Sequence, residues 1–524
     1  MSGQECSATA YVAKATGCRM RTGARGWFRP RSVLTALIAA LALILAASAS
    51  ARAANCSLAD FSYNGMCGPE FESPAWGDAA GWTDPSKYST IQLADITGNG
   101  SDELIARNDD GLEIWTFDTT VGQWRPAIGA NGLPEVLQDF HSPLPSDDVR
   151  GSWRDPAASS TIQTADLYGD DTQEIIADHE PTGTRVWRYT PPAGTQSING
   201  GTWALVSTTK TLPSAPAPSQ YLSLHAVTGG GFPVTTLTDQ SKFWQWNMNN
   251  GGFDQAGSAT LAPTSSSPQY YLDNMSGLMP GLVTSNQTMM VGANVYRTSN
   301  GVAVQWFNGT QWQQLGPPPT SGGNCQATHS CSPFPDTNCS AASPCFGSDP
   351  SYYETMRVAT NLLGSDDPNG YVLGRLHDGL HVFALKTYTS ASGDTYQGWD
   401  DSIPVLTALA DPSSGFPPPG EWSSIRTGDI TGDGHTDVLA VVNGQLRAWE
   451  LTSNGSGQLA WSELPANPAL NLGGSMWENN PSYYSTVQVG PVAGTGTPDA
   501  VIARGPFGIR TWFYNRNGSG GWTS

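Results

Sequence analysis

Apolar and polar residues alternate along this chain in short runs, and the runs return as a repeated phrase. YSTIQLADITGNGSDELIARNDDGLEIWTFD begins at Tyr88, and SSTIQTADLYGDDTQEIIADHEPTGTRVWRYT begins at Ser159. The same order comes back as WSSIRTGDITGDGHTDVLAVVNGQLRAWEL from Trp422 and as YSTVQVGPVAGTGTPDAVIARGPFGIRTWFYN from Tyr484. Each copy predicts an alternating strand, an acidic glycine turn, an apolar strand, a tight turn and a strand with an aromatic near its end. The first strand alternates, as at Ile91 and Leu93, and the second is an apolar run, as at Glu103–Ala106 or Val438–Val441. No long helical period follows residue 54.

The copies align on the residue that opens each acidic turn: Asp95, Asp166, Asp429 and Pro491. Asp95 and Asp166 are 71 residues apart, and Asp429 and Pro491 are 62 apart. The gap between Asp166 and Asp429 holds three weaker copies, from Gln220, Tyr270 and Tyr352, which makes seven units. The third strand of a unit carries Trp115, Trp187, Trp244, Phe383, Trp449 or Trp512, and a fourth opens near Trp124, Trp203, Trp312 or Trp461. Four strands per unit with periodic aromatics predict an all-β fold, a seven-bladed β-propeller of four-stranded blades. The aromatics then read as packing residues between sheets. Residues 212–219, 262–268 and 316–324, rich in Pro, Gly and Ser, read as loops between blades. The propeller spans 77–524 and is interrupted by a cysteine-stapled insertion at 313–349. The chain ends at GGWTS, too soon after its last aromatic strand for a full fourth strand. A segment near residues 57–76, within the N-terminal piece 55–76, is therefore expected to complete the last blade and close the ring.

Residues 1–54 read as a lead-in and secretory signal peptide. Arg21, Arg25, Arg29 and Arg31 precede the apolar run VLTALIAALALILAA at 33–47, and SASARAA offers cleavage after Ala53 or Ala54. Met20 reads as the true start. Of 25 basic and 45 acidic residues, seven and one fall in this segment, leaving 18 against 44, a net charge of about −26. Four lysines remain: Lys87, Lys210, Lys242 and Lys386. Such a surface repels nucleic acid and anionic membrane and concentrates divalent cations. No other run is long enough to span a bilayer. Six cysteines remain after residue 54: Cys56, Cys67, Cys325, Cys331, Cys339 and Cys345. In an exported chain an even set reads as disulfides, with Cys56–Cys67 one pair and the other four stapling the insertion. The flanks of those four lack the tight knuckles of a structural zinc site.

The turns carry the candidate chemistry. In Asp429-Ile-Thr431-Gly-Asp433-Gly434-His435-Thr-Asp437, oxygen side chains sit at positions 1, 3, 5 and 9, with glycine at 6. That spacing suits a hard cation: alternating oxygens point inward, glycine permits the bend, and a late carboxylate closes the shell. The oxygen at position 7 is expected from the main chain. The first unit supplies Asp95, Thr97, Asn99, Ser101 and Glu103, and the second supplies Asp166, Tyr168, Asp170, Thr172 and Glu174. Thr or Tyr at position 3 predicts modest calcium affinity, roughly 10⁻⁴–10⁻³ M. The seventh unit keeps only Asp499 among Pro491, Ala493, Thr495 and Thr497, and is not expected to bind metal. These turns resemble the FG-GAP/VCBS repeats of integrin α-subunit propellers and of secreted integrin-like propeller lectins. The resemblance spans most of 77–524, strong in units one, two, six and seven. It implies structural calcium in some blades and, from the lectins, sugar pockets between blades, but no residue here matches those pockets.

A catalytic reading finds less support. No HExxH, GxSxG or phosphate loop occurs. His377 and His381 bracket Asp378-Gly379, which reads as a hairpin turn, and Asp366 and Asp367 read as turn residues. The sequence therefore predicts a secreted recognition module for carbohydrate or glycoprotein, its loops rich in Trp, Tyr, Asn and Asp. Two other readings stay open: an integrin-like protein adhesion module, and a polysaccharide lyase or sugar dehydratase on a propeller scaffold.

Overall fold

The computed structural model describes residues 74–108, 111–129, 136–138, 153, 159, 161–168, 170–179, 183–195, 197–206, 352, 355–364, 370–389, 395–411, 421–453, 456–465, 480–515 and 521–523, with seven strands between 223 and 315. All lie in the second of two compact units, Cys56–Ser524. The predicted signal, Met20 and all six cysteines (Cys56, Cys67, Cys325, Cys331, Cys339 and Cys345) fall outside the described residues. Among those described, no helix is long and apolar enough to cross a membrane.

The strands form antiparallel meanders. Gln92–Ala94 (β1), Glu103–Arg107 (β2), Gly111–Asp118 (β3) and Gln123–Pro126 (β4) make the first sheet, and Val136–Gln138 (β5) pairs the start of β3. The second holds Gln163–Ala165 (β6), Glu174–His179 (β7), Gly183–Thr190 (β8) and Thr202–Leu205 (β9). The third holds Ser223–Ala226 (β10), Val234–Leu237 (β11), Trp244–Asn247 (β12) and Gly252–Gln255 (β13). Among the described residues the fourth has three strands, Ala293–Thr298 (β14), Gly301–Phe307 (β15) and Trp312–Leu315 (β16). Arg357–Thr360 (β17), Gly370–Leu376 (β18), Gly379–Thr389 (β19) and Thr395–Asp400 (β20) make the fifth. The sixth is Arg426–Gly428 (β21), Asp437–Val442 (β22), Gln445–Ser453 (β23) and Leu459–Glu463 (β24). The seventh is Gln488–Gly490 (β25), Ala500–Gly505 (β26), Gly508–Asn515 (β27) and Gly521–Thr523 (β28). The chain is all-β, and four strands in sequence order are the build of a propeller blade.

The apolar second strands have a physical reason. Leu104 and Ala106 pack into a core shared with the seventh sheet, while Ile105 between them packs into a core shared with the second. In β22, Leu439 and Val441 likewise face the seventh sheet, and Val438 and Ala440 face the fifth. Because successive strand residues point to opposite faces, a strand covered on both sides loses its polar alternation. The third-strand residues Trp187, Trp449 and Trp512 are buried in these layers. Trp124 of β4 reaches across to the seventh sheet, its indole N–H donating to Thr511 Oγ1 at 2.7 Å.

The first and last sheets are neighbours. Gln488 Nε2 donates to the Ile91 carbonyl (3.2 Å), and Phe117 meets Phe513 at 5.6 Å between ring centroids. The expected gap in the last sheet does not exist: Gly521–Thr523 pair with Phe513–Asn515, so the C-terminus supplies its own fourth strand. The described N-terminal residues instead cap the junction. Pro74–Trp76 form a helical turn, Asp78 N donates to Pro506 O (2.9 Å), and Arg504 Nε donates to Trp76 O (2.8 Å).

Candidate functional site

The predicted metal residues lie on turns of one kind, each joining the first strand of a sheet to its second. Three share one internal wiring. The first carboxylate accepts backbone N–H groups from positions 5 and 6: Asp95 from Asn99 and Gly100 (3.0 and 2.7 Å), Asp166 from Asp170 and Asp171 (3.2 and 3.1 Å), Asp429 from Asp433 and Gly434 (3.0 and 2.9 Å). Position 5 then accepts from the N–H at 7, in the pairs Asn99–Ser101, Asp170–Thr172 and Asp433–His435. The closing carboxylate reaches back into the loop, with Glu103 accepting from Ile96 N, Glu174 from Leu167 N and Asp437 from Thr431 N. Position 6 needs a positive φ, which Gly100 and Gly434 supply at 80° and 81°. Asp171 takes that place in the second loop at 63°, a conformation aspartate tolerates better than most residues.

The side chains at position 7 turn outward to the preceding loop. A Cβ on Gly494 would lie 3.3 Å from Ser101 Oγ, one on Gly98 2.6 Å from Thr172 Oγ1, and one on Gly364 3.0 Å from His435 Nε2. The backbones interlock as well. Asp102 N donates to Pro491 O (3.3 Å), Gln173 N to Asp95 O (2.8 Å), Thr436 N to Asn361 O (3.0 Å) and Asp499 N to Asp429 O (2.8 Å). The turns of sheets five, six, seven, one and two thus form a continuous chain of contacts.

Register corrects one sequence alignment. Gly490 pairs Ala500 where Ala94 pairs Glu103, so the seventh turn is one residue longer. Asp499 therefore matches Asp102, not the closing carboxylate, and Ala500 stands in the place of Glu103. Both aspartates sit over a glycine of the preceding sheet: a Cβ on Gly490 would fall 2.3 Å from Asp102 Oδ2, and one on Gly428 2.8 Å from Asp499 Oδ2. Gly490→Ala is expected to cost about 1–3 kcal/mol in urea unfolding. Adding Asp102→Ala should recover much of that loss; an unrelieved loss would show that the carboxylate is not the obstacle.

Loss of water dominates the charges here. Burial pushes the carboxyls of Glu103, Glu174 and Asp437 up to about 8. It raises Asp102 to about 7, helped by Asp95 and Asp499, and Asp499 to about 6. Asp437 Oδ1 is buried with no hydrogen-bond partner among the described residues, an acceptor that a cation in the sixth loop would satisfy. In the first loop Glu103 Oε1 accepts from Thr97 Oγ1 (3.2 Å), and the remaining lone pairs of Asp95 and Glu103 also suit a hard cation. The second loop differs. There Glu174 Oε1 is likewise buried without a hydrogen-bond partner among the described residues, and Arg188, which sequence reading passed over, lies 3.5 Å from it and bonds to Asp170. Among the described residues no three His, Cys, Asp or Glu side chains converge as a metal cluster, so any cation must draw on hydroxyl, amide and main-chain oxygens too. His377 and His381 flank the β18–β19 turn, and His381 Nε2 lies 2.7 Å from Asp378 Oδ1.

No family model matches the chain, and neither does any curated protein. Among solved structures it is similar to a chain of the Photorhabdus luminescens Tc holotoxin pore, at 12% identity and TM-score 0.32, over 79% of this chain but 17% of that one. It is similar to YCF48 from Cyanidioschyzon merolae at 11% identity and TM-score 0.35, over 82% of this chain and 95% of that one. An Agrocybe aegerita lectin that recognises non-reducing terminal N-acetylglucosamine aligns at 13% identity and TM-score 0.32, over 83% of this chain and 78% of that one. Superpositions this loose carry no functional argument, and the likeness to FG-GAP/VCBS repeats rests on the turn residues alone.

Proposed function

We propose that this chain is an exported, non-catalytic recognition module, a ring of seven four-stranded blades steadied by structural calcium, whose ligand is a carbohydrate or glycoprotein. The observation that supports it is the interlocking of successive turns, whose backbone N–H and C=O groups pair from sheet to sheet. A base of that kind suits binding loops carried on a rigid scaffold. The contact between first and last sheets supports the closed ring. The acidic charge and the loops rich in Trp, Tyr, Asn and Asp favour sugar hydroxyls and faces over polyanions.

A glycan array probed with the exported protein, in calcium and in chelator, tests the ligand. Saturable binding to a defined sugar is expected, weakened in chelator; a blank array in both buffers sinks the carbohydrate reading. Calcium is tested by thermal unfolding. At about 10 mM calcium, a site with Kd of about 10⁻⁴ M adds roughly 2.7 kcal/mol. Asp429→Ala should lose one such contribution, whereas an unchanged melting temperature on chelation retires the metal.

A further inference from the structure

The second acidic loop differs from the first and sixth at two places that face each other. Position 3 is Tyr168, where the other loops have Thr97 and Thr431. Arg188 follows the third-strand Trp187, whose register partner is Ile175. The same register step leads to Thr116 after Trp115 and to Glu450 after Trp449. Arg188 binds the position-5 carboxylate of Asp170, its Nε lies 3.5 Å from Oε1 of the buried closing carboxylate Glu174, and its guanidinium stacks 4.4 Å over the Tyr168 ring. One planar cation thus contacts positions 3, 5 and 9 of a loop whose sister loops offer those positions to an ion. Guanidinium suits the exchange, because it stays charged, forks toward carboxylates and stacks on aromatic faces.

We infer that Arg188 is a built-in cation that takes the place of calcium in the second loop, so that among these three loops only the first and sixth bind metal. Tyr168 is then its platform, not a ligand, and Asp166, Asp170, Thr172 and Glu174 form a metal-independent turn. The inference rests on the calcium reading of the sister loops, and its test separates the two.

Calcium stoichiometry is measured by titration calorimetry on metal-stripped protein, for the wild type, Arg188→Thr and the double variant Tyr168→Thr/Arg188→Thr, which copies the first loop. The variants are expected to bind one more calcium than the wild type, and adding Asp170→Asn should remove the gained site. Equal stoichiometry in folded variants and wild type overturns the inference, whatever that number is. The wild-type count alone decides the calcium reading: two sites support it, and none would retire it even if the variants gained one. Should Arg188→Thr fail to fold without metal, its rescue by calcium but not by magnesium supports the inference equally, and failure in both overturns it.

Discussion

Arg504→Ala is expected to destabilise the protein by about 3–5 kcal/mol. Its side chain is fully buried at the end of β26 and serves three partners from the N-terminal segment. Nε donates to Trp76 O at 2.8 Å, and Nη2 donates to Asp78 Oδ1 at 2.5 Å and to Trp82 O. The guanidinium also lies 4.4 Å from the ring of Tyr88 in the first sheet's opening turn and 5.1 Å from Tyr483 in its own. Alanine would leave the Trp76 carbonyl unpaired, strip Trp82 O of one of its two donors and open a cavity between residues 74–82 and the seventh sheet. Arg375 holds the equivalent place in the fifth sheet, stacked 4.9 Å from Trp422 of the next sheet and bonded to Leu409 O and Asp411. Lysine at 504 should recover little, since a single ammonium cannot fork to the same acceptors. Arg447 pairs with Glu463 in partly exposed surroundings, so Arg447→Ala should cost under about 1 kcal/mol. Urea unfolding of the three variants decides: a loss at 504 no larger than at 447 would remove the junction role.

What the sequence exposed was local and repeated. Apolar second strands, third-strand aromatics and the acidic turn recur at fixed offsets, and each can be read within about thirty residues. What stayed hidden depends on register. Arg188 is 18 residues from Asp170, and only the pairing of β7 with β8 brings it over the loop. Asp499 was misplaced because counting from Pro491 cannot see one extra residue in the turn. The missing fourth strand of the last sheet was an error of length: three residues around Trp522 suffice to pair. One signal was legible and passed over. PSKYST at 85–90, PSYYET at 350–355 and PSYYST at 481–486 recur in the sequence ahead of β1, β17 and β25. In each, the threonine Oγ1 accepts the backbone N–H of the buried arginine, from Arg107 to Thr90, Arg375 to Thr355 and Arg504 to Thr486. A repeated hydroxyl before a strand and a repeated arginine at the end of the next could have been paired from the sequence.

In chelator, the melting temperature is expected to fall as pH rises from about 5 to about 8, the reverse of ordinary acid denaturation. The sign follows from the raised carboxyls. Asp102, Asp499, Glu103, Glu174 and Asp437 hold protons in the folded chain up to about 7, 6, 8, 8 and 8, and the unfolded chain releases them near 4. Over that window the native state binds more protons, so each step up in pH favours unfolding until the folded values are passed. Calcium should oppose the trend where it replaces a proton. In the first and sixth loops the ion would stabilise the ionised Glu103 and Asp437, so saturating calcium flattens the slope above about pH 6. Most of the part due to Asp102 and Asp499 should survive calcium, because burial is its main cause and those carboxylates face glycines of a neighbouring sheet; only the share that comes from Asp95 and Asp429 should be lost. Asp437→Asn separates the contributions: the neutral amide removes one titration and one calcium response together, while Asp499→Asn removes a titration alone. A melting temperature that climbs steadily from pH 5 to 8 without calcium would mean that these carboxyls ionise freely, and that the interlocked turns are wetter than their burial implies.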